Sequence, residues 1–307
     1  SGPTLMIRIH DWKLSRCSAI SEGEIIQRYD IAYVAPGAID DRTNWTSDYL
    51  SKVSACKHIV HFDYPTATLS IDGIDIPVSN QIDFQLSPNL KILVDSTSLA
   101  FPEILYLFTI FDQLKTPFDV LYIQPENYDD TPKSEDEDLS STRLSEDGML
   151  GPKLLPRYVI PSRKAHLLAL LGFEGHRLAS LYESEVLNVS SYGGLIGIPG
   201  FKPGWENKTM YNNMQQINTV GMKDIDISGA NDPIYTYTVI ENKYKASTYA
   251  RAPLFLAPLG TKPTSIAVAN FAVNNPTNLS LVYDFVQKKL GRSSGTDTAH
   301  LWSFRCE

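Results

Sequence analysis

Cysteine is scarce and scattered in this chain. The three present, Cys17, Cys56 and Cys306, are odd in number and widely spaced. That excludes a disulfide framework and fits reduced thiols in a cytosol. None is read as standing at metal-site spacing from another cysteine or a histidine. Each is therefore expected to be a small buried hydrophobe, and neither a metal nor another cofactor is expected. Positive charge is also in deficit. Lys and Arg number 27 against 35 Asp and Glu, giving a net charge of −8 and a pI near 5.3. Generic DNA or RNA binding needs a basic face and is excluded, whereas one small anion held by a few local cations is not. No apolar run approaches the ~20 residues that span a bilayer, and no charged-then-apolar leader opens the chain. A cytoplasmic location without membrane association is expected. Ser1-Gly2-Pro3 ahead of Met6 reads as an appended lead, with the native start expected near Met6.

Catalytic signatures are missing as well. There is no G-x-S-x-G elbow, no H-E-x-x-H and no C-x-x-C. Gly194, Gly197 and Gly200 have the wrong spacing for a dinucleotide fingerprint and fall inside a predicted strand. His58 and His61, three apart on a strand, point to opposite faces and make a poor metal pair.

What the chain does have is a strand–loop–helix–strand unit that recurs. Tyr29–Pro36 reads as a buried strand leading through Asp40-Asp41-Arg42 and a helix to the strand His58–Phe62. His166–Phe173 leads likewise through Glu174-Gly175-His176-Arg177 and a helix over Leu178–Leu187 to the strand Gly194–Ile198. A second unit follows in each half: Leu90–Asp95, a helix opened by Pro102, and Phe118–Ile123; then Pro253–Pro258, a helix opened by Pro263, and Leu279–Asp284. The strands are apolar on both faces, as parallel strands covered by helices are. The expected fold is α/β: two tandem Rossmann-like halves with mainly parallel sheets, related by an internal pseudo-twofold repeat. The first half covers 1–128 and carries a hairpin over Thr68–Pro77, signalled by Asp72-Gly73. An acidic linker covers 129–163 and includes Ser134–Asp138. The second half covers 164–307, with a longer insertion at about 201–249 in which Met210–Ile217 reads as helix and Ile234–Ile240 as strand.

Ligands of open parallel sheets sit beyond the carboxyl ends of the strands, where helix N-termini favour anions. Four loops occupy that place. Gly260-Thr261-Lys262 before Pro263 offers close backbone approach, a hydroxyl and a charge for phosphate; the alternative is a helix start with an exposed lysine. Arg177 is suited to bidentate phosphate contact, and His176 with Glu174 to proton transfer; the alternative is a salt-bridged turn. Arg42, the counterpart of Arg177, has Asp40 and Asp41 as internal partners in the competing reading. Asp95 fits a ribose hydroxyl or a metal, and Ser96 and Ser98 a phosphate; the alternative is a capped polar loop. Asp95, Glu174 and His176 are the catalytic candidates. Phe201, Trp205 and Tyr211 offer stacking faces for a base, or close the rim of a core.

Two such halves with these polar loops resemble the CARF and SAVED sensor domains of bacterial immune systems. The resemblance covers about two-thirds of the chain and has no diagnostic motif. It implies a binding module for a nucleotide-like anion at the interface of the two halves. It also implies action with a partner protein, or as a homo-oligomer, in anti-phage defence. A nucleotide- or nucleoside-processing enzyme is the alternative. A non-catalytic scaffold subunit of a defence complex is the second alternative, favoured by the mismatch of Lys262 with Phe101 at equivalent positions.

Overall fold

A computed structural model describes residues 7–21, 27–79, 82–128, 144–146, 148–160, 164–184 and 187–306. Within these, β1 (Ile7–Arg16), α1 (Cys17–Ser21), β2 (Tyr29–Val34), α2 (Asp41–Val53), β3 (Ser54–Asp63), β4 (Thr68–Ile71), β5 (Ile74–Pro77), β6 (Ile92–Asp95), α3 (Phe101–Leu114) and β7 (Phe118–Tyr128) follow in order. Next come β8 (Ser145–Glu146), β9 (Lys153–Leu154), β10 (Ala165–Leu171), α4 (Gly175–Tyr182), β11 (Val189–Gly197), α5 (Trp205–Thr219), β12 (Asp224–Ser228) and α6 (Pro233–Tyr249). The last elements are β13 (Leu254–Pro258), α7 (Lys262–Asn274), β14 (Leu279–Tyr283), β15 (Gln287–Lys288) and β16 (Ser293–Cys306). The result is a mixed α/β fold with sheets that are partly parallel.

The chain divides into two units, residues 1–129 with 290–307, and residues 130–289. The first holds an eight-stranded sheet in the order β1-β16-β7-β6-β2-β3-β4-β5. Its centre, β7-β6-β2-β3, is parallel. β6 is buried at every residue, as a strand covered on both faces must be. Asp72 and Gly73, at φ 52° and 82°, make the two-residue turn whose positive φ values match strand twist, so β5 adds antiparallel to β4, which is itself antiparallel to β3. α2 starts on a reciprocal cap between Asp40 and Thr43. α3 starts with Pro102 in its first turn and is buried from Phe101 through Phe111. Its Phe108 packs 4.8 Å from Phe118 and 5.0 Å from Phe304, which stack on each other at 4.9 Å. Burying each such ring contributes about 1.5–3 kcal/mol.

The second unit holds a six-stranded sheet in the order β12-β11-β10-β13-β14-β9. Its first five strands are parallel and β9 is antiparallel. β13 and β14 are buried throughout. The strand order β11-β10-β13-β14 repeats that of β3-β2-β6-β7. α2 follows β2 as α4 follows β10, and α3 follows β6 as α7 follows β13. Phe101 and Lys262 accordingly both open a helix whose next residue is proline.

Four sequence expectations are corrected. Residues 293–306, assigned to the second half, form β16, which lies between β1 and β7 in the first unit. Residues 144–160, taken as the end of a linker, belong to the second unit: Leu144, Leu155 and Tyr158 are buried, and Leu155 N–H donates to Leu281 O at 2.9 Å. The acidic stretch Ser134–Asp138 lies outside the described residues. Residues 234–240 are helical, not extended. Asp232 caps Tyr235 N–H, Pro233 opens the helix, and Thr236, Val239 and Ile240 bury one face at helical spacing. The helix expected to reach Leu187 ends at Tyr182.

Candidate functional site

In the second unit the strand order reverses between β10 and β13, the usual ligand crevice of an open parallel sheet. Here the two loops meet main chain to main chain. A Cβ on Gly172 would lie 2.6 Å from Leu259 O, and one on Gly260 would lie 3.0 Å from Leu171 O. Glycine at both positions is required by that approach.

Arg177, in the first turn of α4, is 9% exposed. Its Nε and Nη2 donate to Asp284 at 2.7 and 2.8 Å, and its Nη1 donates to Leu259 O at 3.1 Å. Burial works against its charge, but the Asp284 carboxylate outweighs it and holds the guanidinium protonated beyond its ordinary range. Glu174 Oε1 accepts from Leu144 N, Ser145 N and Ser145 Oγ at 2.8, 2.7 and 2.7 Å. The structure therefore places Arg177 and Glu174 in internal contacts, the salt-bridged-turn alternative. His176 lies half-buried in the same turn.

Arg42 is placed similarly. Its Nη2 and Nε donate to Asp40 Oδ2 and Ser293 Oγ at 2.8 and 2.9 Å, and it lies 5.9 Å from the Tyr128 ring centroid. Burial alone would raise the Asp40 carboxyl, but Arg42, Ser293 and Thr43 hold it down to about 2. Asp95, 1% exposed, accepts from Thr97 N at 3.1 Å. Burial pushes its carboxyl up, partly offset by Ser98, Thr46 and Thr97. Ser96 Oγ donates to Leu121 O at 2.8 Å, Ser98 Oγ accepts from Ala35 N at 3.0 Å, and Thr97 Oγ1 accepts from Ile123 N at 3.0 Å. These hydroxyls staple the ends of β2, β6 and β7 together.

The open chemistry of the second unit's carboxyl edge lies one loop further out. Phe173 and Trp205 pack edge to face at 5.4 Å, and Phe201 reaches Trp205 at 6.4 Å. Lys202 Nζ stands 5.8 Å from the Trp205 ring centroid and Lys208 Nζ 5.3 Å from that of Phe173. All five side chains are half-buried. Burial pushes the Lys208 ammonium down. Asn212 and Asn213 on α5 donate to Phe173 O and Gly172 O, each at 2.7 Å, and fasten the helix to the loop after β10.

The neighbouring loops are bound into the same edge. Ile198 N donates to Ser228 O at 2.7 Å, Ala230 N to Pro199 O at 2.9 Å, and Thr261 Oγ1 to Ala230 O at 2.5 Å. Thr261 is the N-cap residue of α7, but its side chain makes no cap bond to the helix backbone; its hydroxyl donates across the loops to Ala230 O and, more distantly, to Thr264 Oγ1 at 3.5 Å. Lys262 is half-buried at the helix start. Sequence reasoning found Phe201 and Trp205 but missed Phe173 and the two lysines. The available signal was the i, i+3 relation of Trp205 and Lys208 on one helix face. Tyr211 stands apart as an exposed residue.

Among the described residues no helix is long and apolar enough to cross a membrane. Comparison with family models, curated proteins and solved structures finds no match to this chain.

Proposed function

We propose that the chain is a binding module for a nucleotide-like anion, built from two Rossmann-like halves, with its ligand site wholly within the second unit. The half-buried cluster of Phe173, Phe201 and Trp205 beside Lys202 and Lys208 carries this reading. Aromatic faces stack on bases whatever their identity, and ammonium groups beside them supply charge for phosphate. The cluster stands at the carboxyl edge of a parallel sheet, with the Gly260–Lys262 loop tied into the same edge through Thr261. Arg42 and Arg177 are left out of the site because their donors serve internal carboxylates. Action with a partner protein in anti-phage defence, as the CARF and SAVED resemblance implies, belongs to the same proposal.

Trp205 is its own reporter. Titration with mononucleotides and cyclic oligonucleotides should quench tryptophan fluorescence in the native chain and not in Trp205→Phe. Lys202→Ala and Lys208→Ala should each weaken binding roughly 10- to 100-fold, the equivalent of losing a charge-assisted hydrogen bond of about 1.5–3 kcal/mol. Binding that ignores all three substitutions would overturn the site. No binding by any nucleotide favours a scaffold role, which the main-chain closure at Gly172 and Leu259 independently supports.

A further inference from the structure

Far from that edge in sequence, β3 and the hairpin that follows it bring three chemically matched side chains together. Cys56 and His58 are two apart on a strand and so share a face. Lys57 between them points the other way, to Ser51 Oγ at 2.8 Å. β4 runs antiparallel beside β3 and ends at the Asp72-Gly73 turn, where Asp72 N donates to Ile59 O at 2.9 Å and Asp72 Oδ1 accepts from Ile59 N at 2.7 Å. With one carboxylate oxygen pinned to backbone, the other faces His58 Nδ1 at 2.5 Å. His58 Nε2 stands 4.0 Å from Cys56 Sγ, the outer reach of a sulfur hydrogen bond.

The order is thiol, imidazole, carboxylate. An ionised carboxylate only accepts, so it fixes the proton on Nδ1 and leaves Nε2 bare toward the thiol. The His58 hydrogen bond holds the Asp72 carboxyl below its ordinary value, the state this arrangement needs. Tyr33, paired with His58 across β2 and β3, lies 5.6 Å from the imidazole and braces it from the buried side. Cys56 is exposed, whereas Cys17 is buried and its thiol is pushed up to about 12 by desolvation. The two cysteines thus occupy opposite chemical situations.

We propose that Cys56, His58 and Asp72 form a nucleophilic thiol site that takes an acyl group from small activated esters or thioesters. In the step, Cys56 Sγ bonds to the acyl carbon as its proton passes to His58 Nε2. The bond from that carbon to the leaving oxygen or sulfur breaks, and the leaving group departs with the electron pair and takes the proton from Nε2. The products are an S-acyl Cys56 and a free alcohol or thiol. Cys56 and His58 are the catalytic residues, and Asp72 is a positioning residue acting through His58.

The test uses the full chain and p-nitrophenyl acetate at neutral pH. Nitrophenolate release is followed by absorbance, and the acetylated residue is mapped by mass spectrometry. Acetyl should appear on Cys56 and be lost in Cys56→Ser. His58→Ala should slow acylation on the order of 100-fold, the usual worth of a positioned base, and added imidazole should restore part of the rate. Asp72→Asn should slow it less, with its melting temperature kept near that of the parent. Rescue by imidazole separates lost chemistry from lost structure, since a misfolded strand would not respond to it. Acetylation of Cys56 at the same rate in His58→Ala, or no acetylation of Cys56 in the parent, would overturn the proposal.

Discussion

Arg177 and Asp284 meet as two parallel forks, Nε to Oδ2 at 2.7 Å and Nη2 to Oδ1 at 2.8 Å, buried where α4 passes the end of β14. Removing one member leaves the other charged and without its counter-ion in a dry site. Arg177→Ala should therefore lose about 3–5 kcal/mol of unfolding free energy, while a well-packed apolar replacement of both, Arg177→Met with Asp284→Leu, should recover most of it. Chemical denaturation of the three variants decides. Equal losses in the single and double variants would mean the site cannot be packed without charge.

Glu174 anchors a neighbouring segment by three bonds to Leu144 and Ser145. Glu174→Ala should speed hydrogen exchange of the Leu144 and Ser145 amides, with little change in the β13 amides. Uniform acceleration across the second unit would instead show that Glu174 supports the whole core.

His300 sits 1% exposed on β16, with Nε2 facing Gln124 Oε1 at 3.2 Å and its ring stacked 5.3 Å from Trp302. Burial pushes its pKa down to about 4 from 6.5. Between these values the unfolded chain takes up a proton that the folded chain refuses, so stability falls as pH drops from about 6.5 and levels off through about 4. The span is about 2.5 pH units, on the order of 3 kcal/mol. His300→Gln should flatten the stability profile in that window. A profile identical to the parent's would assign acid sensitivity to other groups.

Phe101 and Lys262 occupy the same helix-opening position, but Phe101 is 2% exposed. Phe101→Ala should cost about 3–5 kcal/mol by leaving a cavity, and Lys262→Ala a small fraction of that. Similar melting losses in both would show that the lysine stem packs as the ring does.

The parallel centre of each sheet was legible because Ile92-Leu93-Val94 and Leu254-Phe255-Leu256 are apolar without alternation, which strands buried on both faces require. The helix starts at Pro102 and Pro263 were legible for the reason proline suits a first turn. β1 was not, since a register shift between Ile9 and Asp11 breaks its alternation. β16 was hidden by its polar first half, although His300, Trp302 and Phe304 bury one face with period two. α6 was misread from its β-branched and aromatic residues, and tertiary packing overrode that local preference. Of the polar loop residues, the sequence offered two roles for each arginine. Only the position of Asp284, distant in sequence, decides for Arg177. Cys56 was expected to be buried, but it lies in the part of β3 that is largely exposed, before Val60 and Phe62 turn inward. The nearness of His58 was written in the sequence, and the missing step was to give two residues on one strand a common face.

β16 also sets the order in which a ribosome can deliver the fold. It lies between β1 and β7 and pairs with both, yet it is made after every element of the second unit. Until it emerges, β1 has no neighbour in the sheet and β7 keeps an open edge, so the second unit can finish first. Synthesis from the amino end usually favours the earlier domain; here the earlier one waits for a strand made after the second unit. A chain released just short of Ser293 would therefore carry every element of the second unit and an unfinished, sticky first sheet, the kind of exposed edge that chaperones and aggregates compete for.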